Sequence, residues 1–227
     1  MVAEMLPTEP FSVLPALWGV YAPQSDTLLL MSALSREPIT ASTSVLDLGT
    51  GSGALAIQAA RRGARVTGVD ISRRAVLAAR VNALLAGQVI RFRRGDLCQA
   101  VAGRAYDLIV SNPPYVPSPA AGLPRHGMAR AWEGGRDGRI FVDCICAAAP
   151  AALRPDGALL LVHSGLCGTQ TTLNLLTGAG LLAAVTDRVS VPLGPVLRSR
   201  RRWLVEEGLM AGDEDREELV VIRAQLV

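Results

Sequence analysis

The chain has no lysine, so its 23 basic residues are all arginines, and 20 aspartates and glutamates nearly balance them. The net charge of +3 is too small to indicate nucleic-acid binding by itself. Aromatic residues make up only 4% of the chain, which argues against a surface that stacks nucleotide bases. Half of the residues are hydrophobic, and this fraction excludes an intrinsically disordered chain.

Cysteine-rich patterns and long apolar segments are also missing. None of the four cysteines belongs to a C-x-x-C pair, so the sequence predicts no metal site. No apolar run approaches the ~20 residues that cross a bilayer. Residues 1–10 carry two glutamates and no arginine, which is unlike a signal peptide. We therefore expect a cytoplasmic protein with no membrane segment.

Apolar strand-like segments alternate with alanine-rich helical segments, a pattern typical of βαβ units and a parallel sheet. The predicted strands are 44–48, 65–70, 88–93, 106–111, 158–162, 182–191 and 218–223. The predicted helices are 54–62, 73–85, 141–153 and 169–177, and residues 116–132 are predicted to form a loop. We expect an N-terminal cap segment over residues 1–40 and one compact domain over residues 41–227.

A glycine cluster follows the first predicted strand, in the segment DLGTGSG at residues 47–53. Gly49, Gly51 and Gly53 permit a tight turn and a close approach of the backbone to a ligand. Asp70 ends the next strand, where a carboxylate can accept hydrogen bonds from both hydroxyls of a ribose. Together these features predict a nucleoside-containing ligand at the carboxyl edge of the sheet.

Two acidic positions favour S-adenosylmethionine (SAM) over a dinucleotide, although Gly49, Gly51 and Ala54 also match the G-x-G-x-x-A pattern. Asp47 would repel a pyrophosphate but can hold the cationic amino group of a methionine moiety. Asp96 follows the third predicted strand, where it can bond an adenine amino group while Leu97 packs on the ring. The predicted cofactor is therefore SAM, with S-adenosylhomocysteine as its product.

The segment Asn112-Pro113-Pro114-Tyr115 directly follows the fourth predicted strand. The Asn112 side-chain carbonyl and the Pro113 backbone carbonyl are two adjacent acceptors, which suit an –NH₂ group with two protons to donate. Tyr115 is expected to stack on a planar group. The corner therefore predicts the binding of a planar amide or amino nitrogen, with its remaining lone pair directed at the methyl group.

The order VLDLGTGSGALAI, VDIS, RGDL and SNPPYVP resembles the class I SAM-dependent methyltransferases of the HemK type, over residues 21 to about 161. Those enzymes methylate the side-chain amide of a glutamine in protein release factors. The resemblance implies a Rossmann-like α/β fold: a seven-stranded, mostly parallel sheet with an antiparallel last strand and helices on both faces. Residues 21–27 and 131–138 resemble the Y-x-P-x-x-D-T and A-W-x-G-G-x-x-G segments of the short archaeal and eukaryotic branch.

That resemblance implies roles for individual residues. The positions that would contact SAM are Thr27, Asp47, Gly49, Asp70, Asp96, Leu97 and Asn112. Asn112 would also touch the substrate, and Pro113 and Tyr115 would complete the substrate clamp. The short branch commonly works with a small zinc-binding activator protein that adds a strand beside the third strand, here residues 88–93. A bare edge guarded by Arg91, Arg93 and Arg94 is the equal alternative.

One segment departs from the family pattern. Residues 192–207 and the acidic stretch 213–218 make a long, charged connection before the last strand, with arginines at 198, 200, 201 and 202. This departure leaves the acceptor open. A glutamine in a protein is the leading expectation, and a nucleic-acid adenine N6, a small-molecule amine or a non-catalytic SAM-binding subunit are the alternatives. The arginine-rich segment is where we expect a substrate or partner to bind.

Overall fold

A computed structural model describes residues 22–97, 105–124 and 127–226. They form one seven-stranded sheet with the strand order β3-β2-β1-β4-β5-β7-β6. The strands are β1 Ser44–Leu48, β2 Arg65–Asp70, β3 Arg91–Arg94, β4 Tyr106–Ser111, β5 Leu153–Ser164, β6 Leu181–Pro192 and β7 Arg216–Leu226. Strands β1 to β5 pair in parallel, and β7 runs antiparallel to both of its neighbours. The predicted fold class is confirmed.

Helices cover both faces of the sheet. They are α1 Ser25–Arg36, α2 Ala54–Arg61, α3 Arg73–Leu85, α4 Ile140–Ala152, α5 Thr169–Gly178 and α6 Pro195–Glu206. Successive strand residues point to opposite faces, so Leu46 belongs to the core under α4 and α5 while Val45 belongs to the core under α1, α2 and α3. Within the described ranges, no helix is long and apolar enough to cross a membrane.

The third strand is shorter than its predicted range of 88–93. The Gly87 and Gln88 amides donate to carbonyls of the last turn of α3, Gln88 to Ala83 at 2.8 Å. Those residues therefore complete the helix end instead of joining the sheet. β3 begins at Arg91 and lies at one edge of the sheet.

The charged connection before the last strand contains a helix that the prediction left without secondary structure. Pro195 occupies the first turn of α6, where its missing N–H costs no helical hydrogen bond. Leu197 and Leu204 are buried and lie seven residues apart, which is two helical turns. They pack with Leu193 and Met210 in a small cluster of their own. Four arginines between and beside these leucines make the segment strongly charged, and the sequence prediction therefore treated it as a connection.

Candidate active site

The glycine loop lies between β1 and α2, at the carboxyl edge of the sheet. The amides of Gly49 and Thr50 both donate to the Val69 carbonyl at 2.9 Å, which fixes the turn against β2. Gly49, Gly51 and Gly53 have φ angles of +75°, +53° and +86°. L-residues rarely adopt this left-handed conformation, so the loop depends on glycine at these positions.

Gly53 packs the loop rather than facing a ligand. A Cβ added there would lie 3.1 Å from the Cβ of Ala79 on α3. This close approach brings α3 and the first turn of α2 together beneath the loop. The contact of Gly53 with the cofactor stays a prediction.

Asp47 is fully buried at the end of β1. Its Oδ2 accepts from the Thr50 hydroxyl at 2.6 Å and from the Ala56 amide at 3.1 Å. Burial raises the pKa of this carboxyl to about 7. Asp47 Oδ2 thereby holds the loop to the start of α2, whereas its buried Oδ1 has no hydrogen-bond partner among the described residues. Asp47 is not among the residues that line the cavity described below, and its direct contact with a methionine amino group stays a prediction.

Asp70 ends β2 and faces the cavity. Its Oδ2 accepts from the Gly51 amide at 3.0 Å, and its Oδ1 accepts from the Ser72 amide at 2.8 Å. Burial raises the pKa of Asp70, and the positive charge of Arg130 opposes that shift. Each carboxylate oxygen keeps a second lone pair, so the group can still accept from a ligand hydroxyl.

A cavity of about 640 Å³ opens at this edge of the sheet. The predicted residues that line it are Thr27, Gly49, Gly51, Asp70, Asp96, Leu97 and Asn112. Lining residues that the sequence analysis did not single out include Arg73, Arg74, Arg130, Glu133 and Phe141. The volume lies within the range of pockets that enclose small organic ligands.

Asn112 reaches this cavity with a fixed side-chain orientation. Its Nδ2 donates to the Thr27 hydroxyl at 3.1 Å, and Thr27 in turn donates to Asp26 Oδ1 at 3.2 Å. A carboxylate only accepts, so the Thr27 hydroxyl hydrogen is used on Asp26 and its oxygen accepts from Asn112. The carbonyl oxygen of Asn112 is therefore directed away from Thr27 as an acceptor.

Tyr115 is held in the core rather than presented to a ligand. Its ring belongs to the hydrophobic cluster beneath α4, and its hydroxyl donates to Asp26 Oδ2 at 2.9 Å. The Cys167 thiol donates to the Tyr115 carbonyl at 3.1 Å. Tyr115 is only 8% exposed and is anchored through its hydroxyl, and its stacking on a planar group stays a prediction. Pro113 is likewise buried, and Pro114 lines the cavity.

Backbone hydrogen bonds join described residues at the two ends of the segment after the corner, which the sequence predicts to be a loop. The Val116 amide donates to the Trp132 carbonyl at 2.7 Å, and the Gly134 amide donates to the Val116 carbonyl at 2.9 Å. A short 3₁₀ turn, Met128–Ala131, precedes this pairing and carries Arg130 toward Asp70. The A-W-x-G-G segment therefore packs directly against the Asn-Pro-Pro-Tyr corner.

Comparison with known proteins agrees with this geometry. The family model of the methyltransferase small domain matches residues 11–122. A Methanocaldococcus jannaschii protein, provisionally named a protein N5-glutamine methyltransferase, is 34% identical over 76% of this chain and 86% of its own length. The chain belongs to the HemK-type family of class I SAM-dependent methyltransferases.

Bacterial relatives of this methyltransferase are longer. The release factor glutamine methyltransferase of Geobacter sulfurreducens is 34% identical over 74% of this chain but 61% of its own length. Among solved structures, the complex of Mtq2 with Trm112 from E. cuniculi, described as methylating the termination factor eRF1, aligns with a TM-score of 0.65 and 25% identity. That alignment covers 92% of this chain and 100% of the solved chain.

The residues at the cavity fit the SAM that the family uses. Asp70 and Asp96 supply carboxylates for hydroxyl and amino groups, and Leu97, only 7% exposed, supplies an apolar surface for a ring. In the described part of the chain, no group of three or more His, Cys, Asp or Glu side chains is placed to hold a metal ion. The sequence analysis assigned no role to Asp26, which binds both Thr27 and Tyr115 in the structure. The D-T pair of the Y-x-P-x-x-D-T segment could have pointed to it.

Proposed function

We propose that this methyltransferase acts on the side-chain amide nitrogen of a glutamine in a peptide release factor, in the cytoplasm. The observation that carries the proposal is the fixed acceptor oxygen of Asn112 at the cavity. The relatives named above support the choice of acceptor. We also propose the division made from the sequence, with residues 1–40 as a cap that supplies Asp26 and Thr27 to the site in residues 41–227.

The corner residues would hold the acceptor nitrogen and strengthen it as a nucleophile. An amide nitrogen is a poor nucleophile because its lone pair is delocalised. Asn112 Oδ1 and the Pro113 carbonyl would accept its two N–H groups, and this pairing stabilises positive charge that develops on nitrogen. When bound, SAM would supply a methyl group already activated by its sulfonium, and the methylated nitrogen would release one proton to water. Orientation and proximity are then the main requirements on the protein.

Cofactor contacts follow from the cavity lining. We propose that Asp70 accepts from the ribose hydroxyls and that Asp96 and Leu97 hold the adenine, with Gly49, Gly51 and Thr27 against the rest of the molecule. Asp47 would act indirectly, by fixing the loop through Thr50 and Ala56.

Methyl transfer to purified release factors tests the proposed acceptor. Release factor is incubated with the enzyme and methyl-labelled SAM, and the modified residue is located by mass spectrometry. Asn112→Ala should abolish turnover with only a modest loss of SAM affinity by calorimetry. Asn174→Ala is the matched control, because Asn174 is exposed on α5 and bonds only its neighbour Gln170 among described residues. Label that enters only RNA or small molecules of a cell extract, or full turnover by Asn112→Ala, would contradict the proposal.

We further propose that a small zinc-binding activator protein adds a strand at the β3 edge. Among the strands of the described residues, β3 has a neighbour on one side only. Large apolar side chains are exposed next to it, Leu84 at 78%, Leu85 at 64% and Val89 at 99%. An exposed apolar patch beside an unpaired strand edge is a typical binding surface for a β-augmenting partner.

Size-exclusion chromatography with a recombinant partner of the Trm112 kind tests this second proposal. Leu85→Glu should prevent formation of a one-to-one complex. Leu182→Glu is the control, because Leu182 is 69% exposed on β6 at the opposite edge of the sheet. Equal binding by both variants, or no complex with the unaltered chain, would refute the edge docking while leaving the methyl-transfer proposal intact.

A further inference from the structure

Helix α6, which the family pattern does not account for, packs on the substrate side of the candidate site. Its buried residues Leu197 and Leu204 form a cluster against which Val116, the residue after Tyr115, is packed. Arg200 extends from the same helix toward the corner, and its Nη1 donates to the Pro117 carbonyl at 2.7 Å. The insertion therefore supports the segment that follows the Asn-Pro-Pro-Tyr corner.

The second nitrogen of the Arg200 guanidinium pairs with Glu133. Arg200 Nη2 donates to Glu133 Oε1, and the two side chains are only 18% and 9% exposed. Glu133 occupies the variable position of the A-W-x-G-G segment, and its backbone lies beside Val116 in an isolated parallel bridge. A residue 67 positions away in sequence thus fixes the orientation of this carboxylate.

Glu133 also lines the cavity, together with Asn112 and Pro114. Arg200 occupies Oε1, whereas no residue of the described ranges donates a hydrogen bond to Oε2. One carboxylate oxygen of this cavity-lining residue is therefore held by the helix, and the other remains to accept a hydrogen bond from a ligand.

We propose that Glu133, held by Arg200, is a specificity-determining residue that accepts a hydrogen bond from a backbone N–H of the acceptor protein. This inference rests on the proposed function, because it concerns the protein segment that carries the target amide. Arg200 already neutralises the Glu133 charge, so the pair favours a neutral N–H donor over a cationic side chain. Arg200 is a positioning residue, since it acts through Glu133 and Pro117.

The variant Glu133→Gln separates recognition from packing. Arg200 can only donate, so the new side chain must turn its carbonyl oxygen to Arg200 and its –NH₂ to the cavity. The acceptor at the cavity becomes a donor while the volume is unchanged. We expect the KM for release factor to rise about tenfold or more, with kcat and the Kd for SAM nearly unchanged.

The exchanged pair Glu133→Arg with Arg200→Glu provides a second readout. It keeps opposite charges in contact but removes the carboxylate from the cavity wall. The double variant should have a higher melting temperature than either single variant, while its KM for release factor stays raised. If the pair were purely structural, the melting temperature and the KM would both return toward the values of the unaltered enzyme.

Glu207→Gln is the matched control. Glu207 also pairs with an arginine, Arg136, just beyond the end of α6, but it does not line the cavity. The Glu207→Gln variant should have the same KM for release factor as the unaltered enzyme. If Glu133→Gln leaves this KM unchanged, or if its KM and its Kd for SAM rise together, the inference is wrong. If the unaltered enzyme methylates no release factor, the proposed function has failed instead.

Discussion

The Nδ2 atom of Asn112 lies 3.1 Å from the hydroxyl oxygen of Thr27. This contact decides which end of the Asn112 side-chain amide faces the proposed methyl acceptor. Thr27 donates its only hydrogen to Asp26, so its oxygen can orient the amide by accepting from Nδ2. The side chain that we place in the substrate clamp is therefore set by two residues in the first turn of α1.

Removing the Thr27 hydroxyl should weaken catalysis by disturbing the Asn112 orientation. Thr27→Val has a similar shape but offers no acceptor to Nδ2. We expect kcat to fall about five- to tenfold, the equivalent of one hydrogen bond of about 1 kcal/mol. Thr27→Ser restores the hydroxyl and should restore most of the rate. Single-turnover methyl transfer measures the effect, and equal rates for the Val and Ser variants would contradict it.

Tyr115→Phe distinguishes an anchoring hydroxyl from a stacking ring. The ring remains, so an enzyme that needs only an aromatic surface should be unaffected. In the structure the hydroxyl donates to buried Asp26, and its loss leaves that carboxylate oxygen without this partner. We expect the free energy of unfolding to fall by about 1–3 kcal/mol, with a matching loss of turnover. Urea denaturation of the two proteins measures the difference, and equal stability would argue for a stacking role.

The positions of most strands, the glycine loop and the corner were predictable because each depends on local sequence. Gly49 and Gly51 are required by a turn that spans a few residues, and Asp70 follows directly from the end of its strand. The cavity lining confirms that these positions meet Asn112 at one edge of the sheet. Parallel strands force that meeting, since their carboxyl ends share one edge.

Side-chain orientation was less predictable because it depends on residues distant in sequence. Tyr115 turns inward because Asp26, 89 positions away, accepts its hydroxyl. The carboxyl group of Asp47 turns toward Thr50 and Ala56 because α2 offers unpaired amides there. Neither a motif nor a periodicity reports such partners. The pairing of Arg200 with Glu133 was hidden for the same reason.

Among the glycines near the Asn-Pro-Pro-Tyr corner, we expect Gly138 to tolerate substitution by alanine least. Its φ is +76°, and a Cβ there would collide with the Tyr115 carbonyl oxygen. Gly87 has a similar φ of +67°, but nothing lies within 4 Å of its Cβ position. Gly87→Ala therefore measures the backbone strain alone, which is about 1 kcal/mol. We expect Gly138→Ala to lower the melting temperature further and to reduce activity, and equal losses in the two variants would show that the contact does not matter.

Glu217 gives the protein a pH-dependent stability with a defined sign. Burial raises the pKa of its carboxyl from its usual 4.5 to about 7, while a hydrogen bond from Ser164 opposes the shift. Between pH 4.5 and 7 the unfolded chain has lost this proton and the folded chain retains it. Its contribution to stability is therefore complete at low pH and is lost as the pH rises toward 7.

Glu217→Gln should remove that dependence, because the amide resembles the protonated acid at every pH. The variant and the unaltered protein should have similar stability near pH 4.5. The variant should become relatively more stable up to pH 7, with a slope of at most about 1.4 kcal/mol per pH unit, and the difference should then level off. Glu218→Gln is the control, since Glu218 pairs with Arg188 at the surface. Urea denaturation at several pH values measures both, and a difference that is constant with pH would contradict the shifted pKa.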